Sequence, residues 1–198
     1  MAKRLFDLVA ALAGLALLAL PLLALALWIK LDSPGPVFFR QERVGQGGRR
    51  FRIHKFRTMR VDAEAVGGQL TVGADPRITR AGHFIRDKRI DELVQLIDVL
   101  QGHMSLVGPR PDVPRYVDQY PAALRERILR VKPGITDPAS LHFRHEAELL
   151  AAAADPDREY REVILPAKLG MAADYADRAT FFSDLGVLLR TVGVLLGR

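Results

Sequence analysis

The sequence contains no cysteine, so disulfides and thiolate metal centres are excluded. It has no internal repeat and no low-complexity tail, which excludes solenoids and long disordered arms. Acidic residues are outnumbered, 23 Asp plus Glu against 29 Lys plus Arg, a net +6. That balance favours an anionic partner, whether nucleotide, nucleic acid or acidic membrane surface, and does not choose among them. A further absence is local: no charged residue occurs between Leu8 and Ile29. As a helix this Leu- and Ala-rich run is roughly 33 Å long, against roughly 30 Å for a bilayer's hydrocarbon core. The rest of the 198 residues is charged and sized for one globular domain.

The apolar run admits three readings. A cleaved signal peptide fits poorly, because the run is too long for such a segment. A spanning anchor and a helix that enters the membrane and returns are both open. Pro21 lies inside the run, lacks an N–H and predicts a kink. Lys3 and Arg4 flank one end, and Lys30, Arg40 and Arg43 the other. The positive-inside rule asks both ends to face the cytoplasm, which only the returning helix satisfies.

Beyond the run, Asp32-Ser33-Pro34-Gly35-Pro36 predicts a rigid turn. Val37-Phe38-Phe39 and Phe51-Arg52-Ile53 read as strands around the Gly45–Gly48 turn. Basic residues crowd from Arg40 to Arg60, with Glu42 the one acid among the arginines. A solvated surface and a lipid-headgroup patch explain them equally; no nucleic-acid module pattern appears. Ile90, Leu93, Val94, Ile97 and Leu100 follow helical spacing, stopped at Gly102, with Asp91, Gln95 and Asp98 on the other face. Leu106–Asp112 and Val131–Pro138 read as proline-punctuated loops. A helix around Ala147–Ala154 ends at Asp155-Pro156. Leu185, Leu188, Leu189, Val192, Leu195 and Leu196 form an apolar stripe, either core or interfacial, with Arg190 and Arg198 able to snorkel.

Two features carry chemistry. Asp91 and Glu92 are adjacent at the predicted helix start, where acids ordinarily complement the macrodipole. The same position suits an ionised nucleophile on phosphorus and a Mg²⁺ ligand. In Gly108-Pro109-Arg110-Pro111, two prolines pre-organise one guanidinium for phosphate; an ordinary exposed turn is the plain alternative.

The ordered set Lys3-Arg4-Leu5-Phe6-Asp7, Pro21 within the apolar run, Asp32-Ser33-Pro34-Gly35-Pro36, Val37-Phe38-Phe39-Arg40-Gln41, Lys55-Phe56-Arg57-Thr58-Met59, Asp91-Glu92-Leu93, Met104 to Pro111 and Lys132-Pro133-Gly134-Ile135-Thr136 resembles the bacterial sugar transferases, the monotopic polyprenyl-phosphate phosphoglycosyl transferases. The likeness runs from Lys3 to Thr136 and more loosely to Thr191.

The resemblance implies a helix-rich α/β fold in minimal catalytic form. Residues 1–31 would be a re-entrant membrane helix broken near Pro21. Residues 32–198 would be a small mixed α/β catalytic domain with interfacial amphipathic helices. It implies Asp91 as nucleophile on a nucleotide (UDP) diphosphosugar, Glu92 with Asp91 as Mg²⁺ ligands, and Lys55, Arg86, Arg110 and Pro111 in substrate binding. Polyprenyl (undecaprenyl) phosphate would accept the phosphosugar in the first membrane step of glycan assembly, at the cytoplasmic face of a bacterial inner membrane. Membrane lipids are implied partners and nucleic acid is not; the oligomeric state, a homodimer included, stays open. The non-enzymatic alternative is a membrane-anchored scaffold that binds acidic lipid or a partner protein.

Some positions depart from the family's pattern. Leu20 stands where relatives carry a serine before the proline, His103 where they carry aspartate, and Ala172 where small relatives carry an acid, with Asp174 and Asp177 as weak substitutes. Asp137-Pro138-Ala139-Ser140 replaces a Gly-Trp-Ala-Gln pattern, in a segment able to set sugar preference. Asp184 matches and is expected to support the site.

Overall fold

The computed structural model of the protein describes residues 2–63, 75–88 and 90–195. Helix α1 (Ala2–Asp32) takes in the whole apolar run, and its helical backbone continues through Pro21. Proline removes one donor, while the Leu and Ala on either side are strong helix formers, so the remaining ladder persists. At about 1.5 Å per residue, α1 is roughly 46 Å long. It is long and apolar enough to cross a membrane.

Both ends of α1 are fastened to the domain. Lys3 donates to the Val107 carbonyl and to Asp184, and Arg4 to the Val99 carbonyl at 2.7 Å. Asp7, 2% exposed, accepts from the Ser105 hydroxyl at 2.8 Å and the Leu106 amide at 3.3 Å. At the other end Arg57 donates to the carbonyls of Ile29, Ser33 and Pro34 at 3.2, 2.7 and 2.7 Å. It thereby satisfies acceptors that a helix terminus leaves unpaired. Asp32 accepts from the Ala81 amide at 3.0 Å, at the start of α2 (Arg80–Asp87). Between these fastenings the helix middle is bare: Leu17 is 82% and Leu20 80% exposed.

The predicted hairpin forms. Strands β1 (Phe38–Val44) and β2 (Arg50–Phe56) pair antiparallel, from Phe38 opposite Phe56 to Val44 opposite Arg50. Their tight turn uses Gly47 and Gly48 at φ 66° and 77°, a region open to glycine at little cost. The predicted helix over 90–100 is shorter than its pattern. Asp91 and Glu92 lie in a turn, Leu93–Gln95 is a 3₁₀ turn, and α3 (Leu96–Leu100) follows. Gly102, at φ 85°, ends it as expected. The face carrying Asp91, Gln95 and Asp98 is not solvated; all three are buried.

The two proline-punctuated loops contain a parallel pair, β3 (Ser105–Val107) and β4 (Gly134–Thr136), with Ser105 opposite Gly134 and Val107 opposite Thr136. The segments following and entering them touch backbone to backbone. A Cβ on Gly134 would stand 2.0 Å from the Gly108 nitrogen, which only glycine permits. Short helices α4 (Pro114–Val117), α5 (Ala122–Leu129), α6 (Pro138–His142), α7 (Glu146–Ala152) and α8 (Pro156–Glu159) follow. Helix α7 ends at Ala152, short of the expected Ala154, with Ala153 already extended; Asp155-Pro156 starts α8, with the Asp155 side chain accepting from the Arg158 amide at 3.0 Å. A π-helical turn, Tyr160–Ile164, leads into α9 (Leu165–Arg178), and α10 (Phe181–Leu195) closes the described chain.

Three apolar clusters hold these elements. One joins Phe6, Ala10, Ala11 and Leu15 of α1 to α3, β2, β3 and α10. A second lies among α4, α5, α7 and α9. The third packs Leu22, Leu25, Ala26 and Ile29 of α1 on Phe56, Ile85 and Val94. The C-terminal stripe divides: Val187 is buried, whereas Leu189 and Val192 are exposed. Arg190 is exposed; the Leu195 side chain, Leu196 and Arg198 lie outside the described residues.

Candidate active site

Asp91 is set by its neighbours on β2. The Phe56 amide donates to the Asp91 carbonyl at 3.0 Å. The adjacent Lys55 then reaches across, its Nζ 2.8 Å from Asp91 Oδ2 and 3.2 Å from Glu92 Oε1. Because β-strand side chains alternate, Lys55 faces the carboxylates while His54 faces the interior, where Asp98 accepts from its backbone amide and its Nδ1, both at 2.8 Å.

Arg110 arrives from the opposite side, on the loop after β3. Its guanidinium forks onto Glu92, with Nη1 2.8 Å from Oε2 and Nη2 on Oε1. The loop is steadied by Asp137, 2% exposed, which accepts from the Arg110 amide at 3.3 Å and caps α6 through the Ser140 amide at 2.6 Å. Arg86, on α2, donates from Nε to Thr58 Oγ1 at 2.9 Å and lines the same cleft. Of the expected substrate binders, Lys55, Arg86 and Arg110 meet here. Pro111 instead lines a small cavity behind Arg110, its carbonyl accepting from Arg43 at 3.0 Å.

The cleft has a volume of about 530 Å³. Burial pushes the Glu92 carboxyl up, but the Arg110 and Lys55 charges outweigh it and hold it well below the usual carboxylate range. The Glu92 charge in turn holds Arg110 above its usual value. The favourable field at Asp91 and Glu92 therefore comes from facing side chains. The helix N-terminus that the apolar spacing predicts does not supply it, because α3 begins only at Leu96.

Residues that sequence reasoning missed also line the cleft: Arg43, Asp112, Tyr120, Tyr160 and Lys168. Burial, then the Arg110 charge, pushes the Arg43 guanidinium down. Its Nε is buried without a hydrogen-bond partner among the described residues. Asp112 accepts from the Tyr120 hydroxyl at 2.7 Å. Arg43 stood in the basic cluster, but nothing in its spacing distinguished it from the surface arginines around it.

The departures fall into place. Ala172 lines the cleft, whereas Asp174 and Asp177 pair with Arg127 and Asp177 also with Arg130 at the surface, so neither replaces an acid there. His103 stacks on Phe51 with ring centroids 5.4 Å apart. Asp184, 5% exposed, accepts from Lys3 and from the Tyr175 hydroxyl at 2.7 Å, tying α10 to α1 and α9.

Among the described residues no group of three or more carboxylate or imidazole side chains is placed to hold a metal. Asp91 and Glu92 fit Mg²⁺ only in the manner usual for that ion, one or two carboxylates completed by substrate phosphates and water.

Adjacent carboxylates ringed by cations, in a cleft on a domain that carries a long apolar helix, are the features of a membrane-associated group-transfer enzyme. The chain belongs to the bacterial sugar transferase family, whose pattern matches residues 1–198. It is 39% identical to a UDP-glucose:undecaprenyl-phosphate glucose-1-phosphate transferase of Caulobacter vibrioides over 197 residues, 98% of this chain and 69% of the relative. It is 45% identical to a UDP-N-acetylgalactosamine-undecaprenyl-phosphate N-acetylgalactosaminephosphotransferase of Aeromonas hydrophila over 148 residues, 74% of this chain and 35% of the relative. A Bacillus subtilis relative named as a putative undecaprenyl-phosphate N-acetylgalactosaminyl 1-phosphate transferase is 49% identical over 119 residues, 60% of this chain and 66% of the relative. The matches thus span from about one third to about two thirds of these relatives' lengths.

Proposed function

We propose that this protein transfers a phosphosugar from a UDP-sugar to polyprenyl phosphate through a covalent intermediate on Asp91. An Asp91 carboxylate oxygen attacks the sugar-linked phosphorus. The bond from that phosphorus to the bridging oxygen breaks, and UMP leaves. An oxygen of polyprenyl phosphate then attacks the same phosphorus, the bond to Asp91 breaks, and the carboxylate is restored with polyprenyl-diphosphate-linked sugar as product. Arg110, Arg86 and Lys55 hold phosphate oxygens and stabilise the charge that spreads over them. Glu92 and Asp91 supply carboxylate oxygens to Mg²⁺, which when bound neutralises charge on the diphosphate.

The observation that carries this reading is the meeting of Asp91 and Glu92 with Lys55, Arg86 and Arg110 in one cleft, from β2, α2 and the loop after β3. The test is UMP release by the purified protein with Mg²⁺, polyprenyl phosphate and a panel of UDP-sugars. Wild type is expected to release UMP with at least one donor and Asp91→Asn with none, since an amide is a poor nucleophile. Full activity in Asp91→Asn would remove Asp91 from the mechanism.

The membrane placement belongs to the same reading. Fastening of both ends of α1 to one domain, with the bare stretch around Leu17 and Leu20 between them, supports a helix that enters the bilayer and returns to the cytoplasmic face. A helix crossing to the far side could not keep both sets of contacts. The exposed Phe182, Leu189 and Val192 on α10, beside α1 through the Phe6–Phe181 ring contact at 5.3 Å, support an interfacial helix there. A cysteine placed at position 2 is expected to react with a membrane-impermeant reagent only from the cytoplasmic side.

A further inference from the structure

The cleft changes character beyond Arg110. Its near part offers fixed charge of the kind that suits phosphate. Its further wall, built by α7, the π-helical turn and α9, offers Glu146, Tyr160 and Lys168 over apolar packing. Lys168 and Glu146 form an ion pair whose side chains are 21% and 24% exposed. The Lys168 ammonium stands 5.8 Å from the Phe143 ring centre and 5.6 Å from that of Tyr160. It thereby occupies faces on which a planar base would otherwise stack.

Tyr160 is 6% exposed, lines the cleft, and its hydroxyl makes no hydrogen bond among the described residues. Burial, then the nearby Asp112 and Glu146 charges, push that hydroxyl up, so it stays a protonated donor. It sits on a π-helical turn, a form that recurs at functional sites. Here the wide turn falls just before Pro166, whose ring would clash with a regular helical turn. A donor, an acceptor and an ammonium thus converge on one end of the cleft, with their charges nearly balanced. Neighbouring hydroxyls on a sugar ring both donate and accept, and match such a set; a further phosphate does not.

We infer that Glu146, Lys168 and the Tyr160 hydroxyl form a subsite for a polyhydroxylated ring of the nucleotide-sugar donor. The inference rests on the reading of the cleft as a UDP-sugar site. Two rings of such a donor carry this chemistry, the transferred hexose and the ribose, and binding separates them without any need for turnover.

Dissociation constants of UDP-glucose, UDP and 2′-deoxy-UDP are measured by calorimetry on the full chain and on Glu146→Gln and Tyr160→Phe. Loss of one hydrogen bond to a charged group weakens a ligand roughly tenfold to hundredfold, and loss of the neutral tyrosine bond less. If the subsite holds the hexose, the variants weaken UDP-glucose by that much and leave UDP unchanged. If it holds the ribose, they weaken UDP, and 2′-deoxy-UDP binds wild type and variants alike. Unchanged binding of all three ligands overturns the inference, as does equal weakening of UDP and 2′-deoxy-UDP, which would point to the base or the phosphates. Tyr160→Phe keeps the ring under Lys168, so its loss of affinity with an unchanged melting temperature is not a folding effect. Failure of wild type to bind any of the three would sink the donor-site reading and this subsite with it. Wild-type UMP release alongside unaffected variants would sink the subsite alone.

Discussion

Replacing Asp98 with asparagine probes the clamp that keeps Lys55 beside Asp91. Asp98 is 0% exposed and accepts two hydrogen bonds of 2.8 Å from His54, one from the backbone amide and one from Nδ1. The proton on Nδ1 is fixed by Arg40, whose Nη1 lies 2.7 Å from His54 Nε2. Guanidinium only donates, so Nε2 accepts and Nδ1 donates to Asp98. Asparagine offers one acceptor oxygen and turns an amide N–H₂ toward the second donor. That costs about 1.5–3 kcal/mol, the range for a hydrogen bond to a charged group. In a chain of this size each kcal/mol lowers the melting temperature by about 2–4 °C, giving a fall of about 3–12 °C. Asp98→Ala loses both bonds, and the expected cost doubles to about 3–6 kcal/mol. Circular dichroism melting of the detergent-purified protein measures this, and UMP release at a temperature well below the melt reports whether Lys55 has moved. An asparagine variant that melts with wild type, or an alanine variant no worse than asparagine, would refute the clamp.

Other outcomes are expected from the same geometry. Arg110→Lys keeps the charge but loses the fork onto Glu92, and on the proposed function kcat/KM for the donor falls roughly tenfold or more; an unchanged value would mean that the fork is not used. Asp75 is held down to about 2, chiefly by the Arg77 side-chain hydrogen bonds. Its stabilising effect is therefore complete above the ordinary carboxylate range near 4 and disappears as pH falls through about 2. Melting curves of wild type and Asp75→Asn should differ at pH 5 and converge near pH 2; a constant gap would count against the linkage. Asp7→Ala strands the Leu106 amide and the Ser105 hydroxyl, and should speed amide hydrogen exchange in β3 while leaving the hairpin of β1 and β2 as protected as before.

The sequence made the hairpin plain, because Gly45–Gly48 separates two aromatic- and β-branched-containing runs that need no distant partner. The pair β3 and β4 was hidden. Each strand is three residues long, prolines flank both, and the contact that matters is glycine against glycine across more than twenty residues. Periodicity assigned Asp91 to a helix start because it reports which residues face inward, and a 3₁₀ turn with Val94 buried and Leu93 half-buried satisfies much the same pattern. Asp91, Glu92, Lys55 and Arg110 were legible from motifs, and Arg86 only from the family resemblance. Their convergence was not, since it depends on the long-range register of β2 and on Asp137 holding the Arg110 loop. Tyr160 and Lys168 carried no signal, for a tyrosine and a lysine on a mixed helical stretch look like ordinary surface and core.

The fastening of α1 at both ends changes what the apolar helix is. Its Ile29, Ala11 and Asp7 are as buried as any residue of the domain, and Arg57 and Asp184 spend their charges on it. Cutting away residues 2–32 would not set a soluble enzyme loose. It would strip two of three apolar clusters of a wall, and would take the Ile29 carbonyl from Arg57 and the Lys3 ammonium from Asp184. Helix and domain here share one folding unit, so whatever medium surrounds the bare middle of α1 is coupled, through the contacts at its two ends, to the shape of the cleft.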